Sequence, residues 1–209
     1  MNAIMTKLKT NINWLDGLLP KGICVPSSTL ISGPGGTGKP LVEFAFVTAW
    51  LKAGGSLIGI PLQYSSGELV RTAMNKLYNM NLKNYYGKIV YIQFDPSAAH
   101  CEQIKDDTLK TNLVKPELWD KAIEMAENML EKTEIGTMVF GSALNLLLFS
   151  KTYKNSMLNK LKEVIQKDKN KTYVFAVSTS VLADEIKVLE DVADKRPKIK
   201  NKGHNLVPK

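Results

Sequence analysis

Gly33-Pro34-Gly35-Gly36-Thr37-Gly38-Lys39-Pro40 decides how this chain is read. Its glycines let consecutive backbone N–H groups converge on one anion, and Lys39 has the reach to meet terminal phosphate oxygens. A helix starting at the end of the stretch points its positive pole at the same spot. Through seven positions this is a phosphate-binding loop. At the eighth, a Ser or Thr hydroxyl normally holds Mg²⁺, whereas Pro40 brings neither a hydroxyl nor a backbone N–H.

The flanks give the loop its context. Ser28 to Ser32 is a short β-rich run leading straight into it. From Leu41 to Lys52, the residues Leu41, Phe44, Ala45, Val47, Ala49 and Leu51 predict a helix apolar on most sides, stopped by Gly54-Gly55. Strand, glycine loop and buried helix in that order make the pattern specific. Upstream, Trp14, Leu15, Leu18 and Leu19 lie among Gly17, Pro20, Gly22 and Pro26, which reads as an apolar cap followed by turns.

Downstream the chain alternates. Ser56 to Leu62 predicts a second strand, and Ser65-Ser66-Gly67-Glu68 a capping box opening a helix with Leu69, Val70, Ala73, Met74 and Leu77 on one face. Ile89 to Phe94 is a third strand, stopped by Asp95-Pro96, and residues 97–115 are polar and poorly periodic. Pro116 suits a first helical turn, with Leu118, Ala122, Met125, Ala126, Met129 and Leu130 following at helical spacing. Met138-Val139-Phe140 begins a fourth strand, Met157 to Ile165 carries another helical stripe, and Tyr173 to Val177 is a fifth strand. Strands alternating with helix-length connections predict an α/β fold, three layers deep, around a mainly parallel sheet.

With 209 residues, 44% of them hydrophobic, the chain suits one well-buried core. The expected organisation is one domain over residues 1–194, lead-in included, with 195–209 a basic tail or a degenerate last-strand region. No apolar run approaches a membrane span and the N-terminus lacks a signal pattern, so the expected location is cytoplasmic, away from membranes. Cys24 and Cys101 fit no metal-ligand spacing and read as small buried hydrophobes. The net charge is +8, and beyond Asp194 there is no acid, while Lys195, Arg196, Lys198, Lys200, Lys202 and Lys209 are all basic. Arg71 and Arg196 are the only arginines, so the charge offers non-specific attraction to nucleic acid rather than the bidentate forks that read bases.

Taken together these residues resemble the RecA-like P-loop ATPases, and among them the KaiC-like branch with its many archaeal members. The segment from Leu15-Asp16 to Leu19-Pro20-Lys21-Gly22 is similar to the family's turn-rich lead-in, and Ser178-Thr179-Ser180 stands where the family often has a polar phosphate-sensing residue. Glu190-Asp191-Val192-Ala193-Asp194 is similar to an acidic stretch that precedes late strands. Lys200-Asn201-Lys202-Gly203-His204 looks like a shortened basic motif, which implies Lys200 and Lys202 reaching a neighbouring subunit's nucleotide in a homo-oligomer. Lys202 stands where Arg is usual, and no strand-like run separates Asp194 from this motif.

The resemblance also locates what hydrolysis needs. Mg²⁺ is held by the loop hydroxyl and by an acid ending a buried strand, and a carboxylate orients the attacking water. Pro40 removes the hydroxyl, the strand acid falls at Gly141, and the paired catalytic glutamates fall at Tyr64 and Ser65. Glu68 fits the capping box better than catalysis, and Asp95, which also ends a strand, is a candidate substitute acid although Asp before Pro is first a turn signal. Removing one such electrostatic group typically costs ~10²-fold or more in rate. The reading is a catalytically degenerate pseudo-ATPase, not an enzyme, acting as a binding or assembly component with a protein partner or an active relative. The expected site is Gly33, Pro34, Gly35, Gly36, Thr37, Gly38, Lys39 and Pro40, either taking ATP or ADP weakly and without Mg²⁺ or left empty, its glycines serving only to make a tight strand-to-helix turn. Two alternatives stay open: a slow ATPase with an unconventional metal site, and an accessory nucleic-acid-binding recombinase paralogue.

Overall fold

The computed structural model describes residues 6–64 and 67–199. In chain order the elements are β1 (Thr6–Leu8), α1 (Asn13–Leu18), β2 (Ile23–Val25), β3 (Ser28–Gly33), α2 (Lys39–Lys52), β4 (Ser56–Pro61), α3 (Gly67–Tyr78), β5 (Ile89–Phe94), β6 (Glu102–Lys105), β7 (Thr108–Thr111), α4 (Pro116–Met129), β8 (Thr137–Ser142), α5 (Lys154–Lys167), β9 (Thr172–Ser178) and α6 (Ala183–Val192). Short 3₁₀ turns cover Leu82–Tyr85 and Leu144–Phe149.

One seven-stranded sheet runs β3-β9-β8-β4-β5-β7-β6, parallel throughout except for antiparallel β6 at its edge. Every residue of β3 and β4 is buried, because helices cover both faces and neither face can afford polar alternation. On one face Leu15, Ile31, Phe44, Val47, Trp50, Leu57, Val70, Met74 and Phe140 join α1, α2 and α3 to the sheet. On the other, Leu30, Ile58, Ile92, Trp119, Leu161, Phe175 and Leu189 join α4, α5 and α6 to it. This is the three-layer α/β arrangement that the alternating pattern predicts.

Two regions depart from the sequence reading. Residues 97–115, read as polar and aperiodic, contain the β6–β7 hairpin that extends the sheet beyond β5. β6 is mostly exposed and polar, so it carries no burial pattern to read. The segment after Asp194, where no strand-like run is legible, lies along the outer edge of β3. Leu30 N donates to Lys195 O (2.9 Å), Ser32 N to Pro197 O (3.1 Å) and Ile199 N to Ser32 O (2.8 Å). This pairing uses backbone alone, so lysines and a proline can serve. It also explains Gly33, since a Cβ there would lie 2.3 Å from Ile199 O.

α6 anchors the same edge from below. Glu190 accepts from Ser32 Oγ, and Asp194 accepts from both N and Oγ of Ser28. Arg196 and Lys198 pair with Asp191 (3.6 Å) and Glu190 (2.8 Å), so part of the C-terminal positive charge is matched by α6. Lys200 and Lys202 lie outside the described residues.

Candidate functional site

The chain leaves β3 toward α2 and β4 on one side, and leaves β9 toward α6 and residues 195–199 on the other. Opposite departures open a crevice at the carboxyl ends of these two strands, where ligands of open α/β sheets bind. The glycine loop fills the mouth of that crevice. Gly36 and Gly38 have φ of +74° and +76°, left-handed values that turn the loop tightly into α2. Pro40 sits within the first turn of α2, where its lack of an N–H removes no intrahelical bond.

Lys39 is 7% exposed, and its ammonium donates to Gly33 O (3.0 Å), Pro34 O (2.5 Å) and Thr37 Oγ1 (3.3 Å). Burial lowers its pKa, and the charge of Glu43 opposes that fall. Gly35 N donates to Ser180 Oγ (2.9 Å), and Thr179 N to Gly33 O (3.0 Å). The Ser178-Thr179-Ser180 run is therefore brought onto the loop. A cavity of about 250 Å³ adjoins it, lined by residues 35–40 with Gln63, Ala143, Asn145, Ala176 and Ser178. No lining residue is a carboxylate. The space can hold a phosphate group or short phosphate chain, and because it opens to solvent the rest of a nucleotide would lie outside it.

The strand acid expected at Gly141 is misplaced by one residue. A Cβ on Gly141 would meet Leu144 Cδ2 at 2.8 Å and Phe175 Cδ1 at 3.2 Å, on the face of the sheet away from α2. Because successive residues of a strand face opposite sides, it is Ser142 that looks toward the loop helix. The conclusion for the strand is the same, since β8 brings a hydroxyl there and no charge.

The acid comes instead from the helix. Glu43, one turn after Lys39 in α2, is completely buried and its Oε2 accepts from Ser142 Oγ. Its Oε1 has no hydrogen-bond partner among the described residues. Burial pushes its pKa up to about 8, with the Ser142 hydroxyl pulling the other way, so the carboxyl is largely protonated at neutral pH. A hydroxyl on the helix and an acid on the strand is the usual arrangement. Here the strand brings a hydroxyl and the helix an acid, three residues beyond Pro40, and that acid is sealed beneath the loop rather than open to it. The sequence reading passed over Glu43. Its signal was available, as the only charged residue between Lys39 and Lys52.

The other expected residues fall as follows. Tyr64 lies in the turn after β4 with its ring against Phe44 (centroids 6.2 Å apart, 25° between planes), and burial raises its pKa. Ser65 and Ser66 lie outside the described residues, so the capping box is not described beyond Gly67 and Glu68. Glu68 is exposed and pairs with Arg71 at 3.2 Å. Asp95 accepts from Ser97 N (2.8 Å) and Oγ (2.6 Å), and these bonds hold its carboxyl below the usual range in a tight turn. Neither lines the loop cavity. Cys24 and Cys101 are half-buried free thiols rather than core residues. Among the described residues no three His, Cys, Asp or Glu side chains cluster as a metal site, and no helix is long and apolar enough to cross a membrane.

No protein-family model matches the chain, and no curated protein matches it. Among solved structures, the chain is similar to a KaiC-like protein from the hyperthermophilic archaeon Pyrococcus horikoshii OT3, at 14% identity and a TM-score of 0.68 over 97% of this chain and 84% of that one. At that identity the likeness is one of fold. The chain shares the α/β fold of this KaiC-like neighbour.

Proposed function

We propose that the chain is a non-hydrolysing, phosphate-binding module built on the KaiC-like fold, taking ADP, ATP or a smaller phosphate-bearing anion at Gly33–Pro40 without Mg²⁺. The observation that carries this reading is the composition of the loop cavity. Its glycines and the helix start border open space, Lys39 lies in its wall with the ammonium on the loop's own carbonyls, and no carboxylate lines it. Pro40, Ser142 and Tyr64 stand where the metal hydroxyl, the metal acid and a catalytic carboxylate belong in an active relative. In place of catalysis the chain acts as a binding or assembly component, its state reported to a partner through occupancy of the loop.

Purified protein with ATP and excess Mg²⁺ should show no turnover above that of the Lys39→Ala variant. Hydrolysis that is proportional to protein and abolished by Lys39→Ala would overturn the reading in favour of an ATPase with an unconventional metal site.

A further inference from the structure

Glu43 is the one ionisable group at the loop that the anion-binding reading leaves unused. It is fully buried, half-satisfied by Ser142, and set four residues after Lys39 on the same helix, a spacing that puts side chains on one helix face. We propose that Glu43 is a proton-linked positioning residue for Lys39, so that an anion is held in the loop while Glu43 is protonated and is released as Glu43 ionises. The proposal rests on the reading of the loop as an anion site.

The argument is electrostatic. With Glu43 neutral, the Lys39 ammonium is held only by the uncharged acceptors Gly33 O, Pro34 O and Thr37 Oγ1, and its charge has no counter-ion until an anion enters the loop. With Glu43 ionised, the charge of Lys39 is opposed by a carboxylate one turn along the same helix in a low-dielectric interior, where such attraction is strong. The two charges then offset each other, and the loop attracts an anion less. The titratable groups facing Glu43 are Lys39 on its own helix and the Tyr64 phenol in the turn after β4. From β8 comes the uncharged Ser142 hydroxyl, and at Ala176 β9 offers only backbone. Among the described residues no second carboxylate acts on Glu43. The proton exchanges with water, so the step needs no co-reactant.

Linkage fixes the direction. A group that must be protonated for binding, with a pKa of about 8 in the folded protein, weakens affinity by about tenfold between pH 7 and pH 9. Titration of Lys39 itself would also weaken binding as pH rises, and Glu43→Gln separates the two causes. Without the Glu43 charge Lys39 loses its proton more easily, so a lysine-driven effect would move to lower pH in the variant. The present proposal requires the opposite, a variant whose affinity no longer falls across that window.

The probe is sulfate, whose charge is constant over this range, titrated at fixed ionic strength into full-length protein labelled with ¹⁵N-glycine, with the amides of Gly35, Gly36 and Gly38 as the readout. In the natural chain the dissociation constant should rise about tenfold from pH 7 to pH 9, and in Glu43→Gln that rise should vanish. Ser142→Ala, which removes the hydroxyl that favours the ionised form, should shift the natural profile to higher pH, and it carries the test if Glu43→Gln does not fold. Identical profiles in all three proteins would overturn the role of Glu43 while leaving the anion site standing. Glycine amides that sulfate does not move at any pH would overturn both.

Discussion

Replacing Glu43 by Gln should make the protein more stable than the natural chain in alkaline solution, and the structure gives the size of the effect. The carboxyl goes from an ordinary value of 4.5 to about 8 because burial penalises its charged form. A folded-state pKa above the unfolded one means that the native chain holds the extra proton between these values, so the contribution of Glu43 to stability is full below pH 4.5 and is lost as pH rises through about 8. At about 1.36 kcal/mol per pH unit, the span from 4.5 to about 8 corresponds to a loss of about 5 kcal/mol as a ceiling. Domains are stable by ~5–15 kcal/mol in all, so the effect is large. Glutamine keeps the shape and cannot ionise, and the pH dependence of every other group cancels in the comparison. Urea unfolding followed by the fluorescence of Trp50 and Trp119, both fully buried, should give closely matched stabilities near pH 5 and a gap of several kcal/mol in favour of the variant near pH 9. Curves that stay parallel from pH 5 to pH 9 would refute the claim that Glu43 is buried and protonated.

Other changes test other links. Gly33→Ala places a Cβ 2.3 Å from Ile199 O and should cost about 1–3 kcal/mol as an overpacked site, with faster hydrogen exchange at Leu30 and Ser32, whose amides bond to Lys195 and Pro197. Unchanged melting and unchanged protection would mean that residues 195–199 do not hold this edge. Gly141→Asp should destabilise the fold, because its side chain enters the apolar contact with Leu144 and Phe175, and should produce no Mg²⁺-dependent ATP hydrolysis. Turnover gained by that substitution would show that Gly141, and not Ser142, faces the loop.

Much of the architecture was legible because it rests on burial. Strands at Ser56–Pro61, Ile89–Phe94 and Thr172–Ser178 and the helices at Lys39–Lys52 and Pro116–Met129 lie where apolar runs and periodicity put them. What escaped had other causes. β6 is polar and short, and residues 195–199 join the sheet by backbone bonds that leave no trace in side-chain pattern. The facing of Gly141 and Ser142 was hidden because β8 is buried on both sides, so hydrophobicity does not alternate along it and parity is lost. Glu43 escaped for a different reason. A lone acid in an apolar helix was absorbed into the reading of a buried helix, yet in a buried helix that acid needs a partner. The glycine loop itself sits at the crevice its pattern implies, and the lysine in it is turned onto the loop's own carbonyls.

The most direct test of the central claim is calorimetric titration of ADP into the purified chain with Mg²⁺ present and with Mg²⁺ removed by chelation. The account predicts binding of the same affinity in both solutions, lost in Lys39→Ala. Binding that appears only with Mg²⁺ would contradict it.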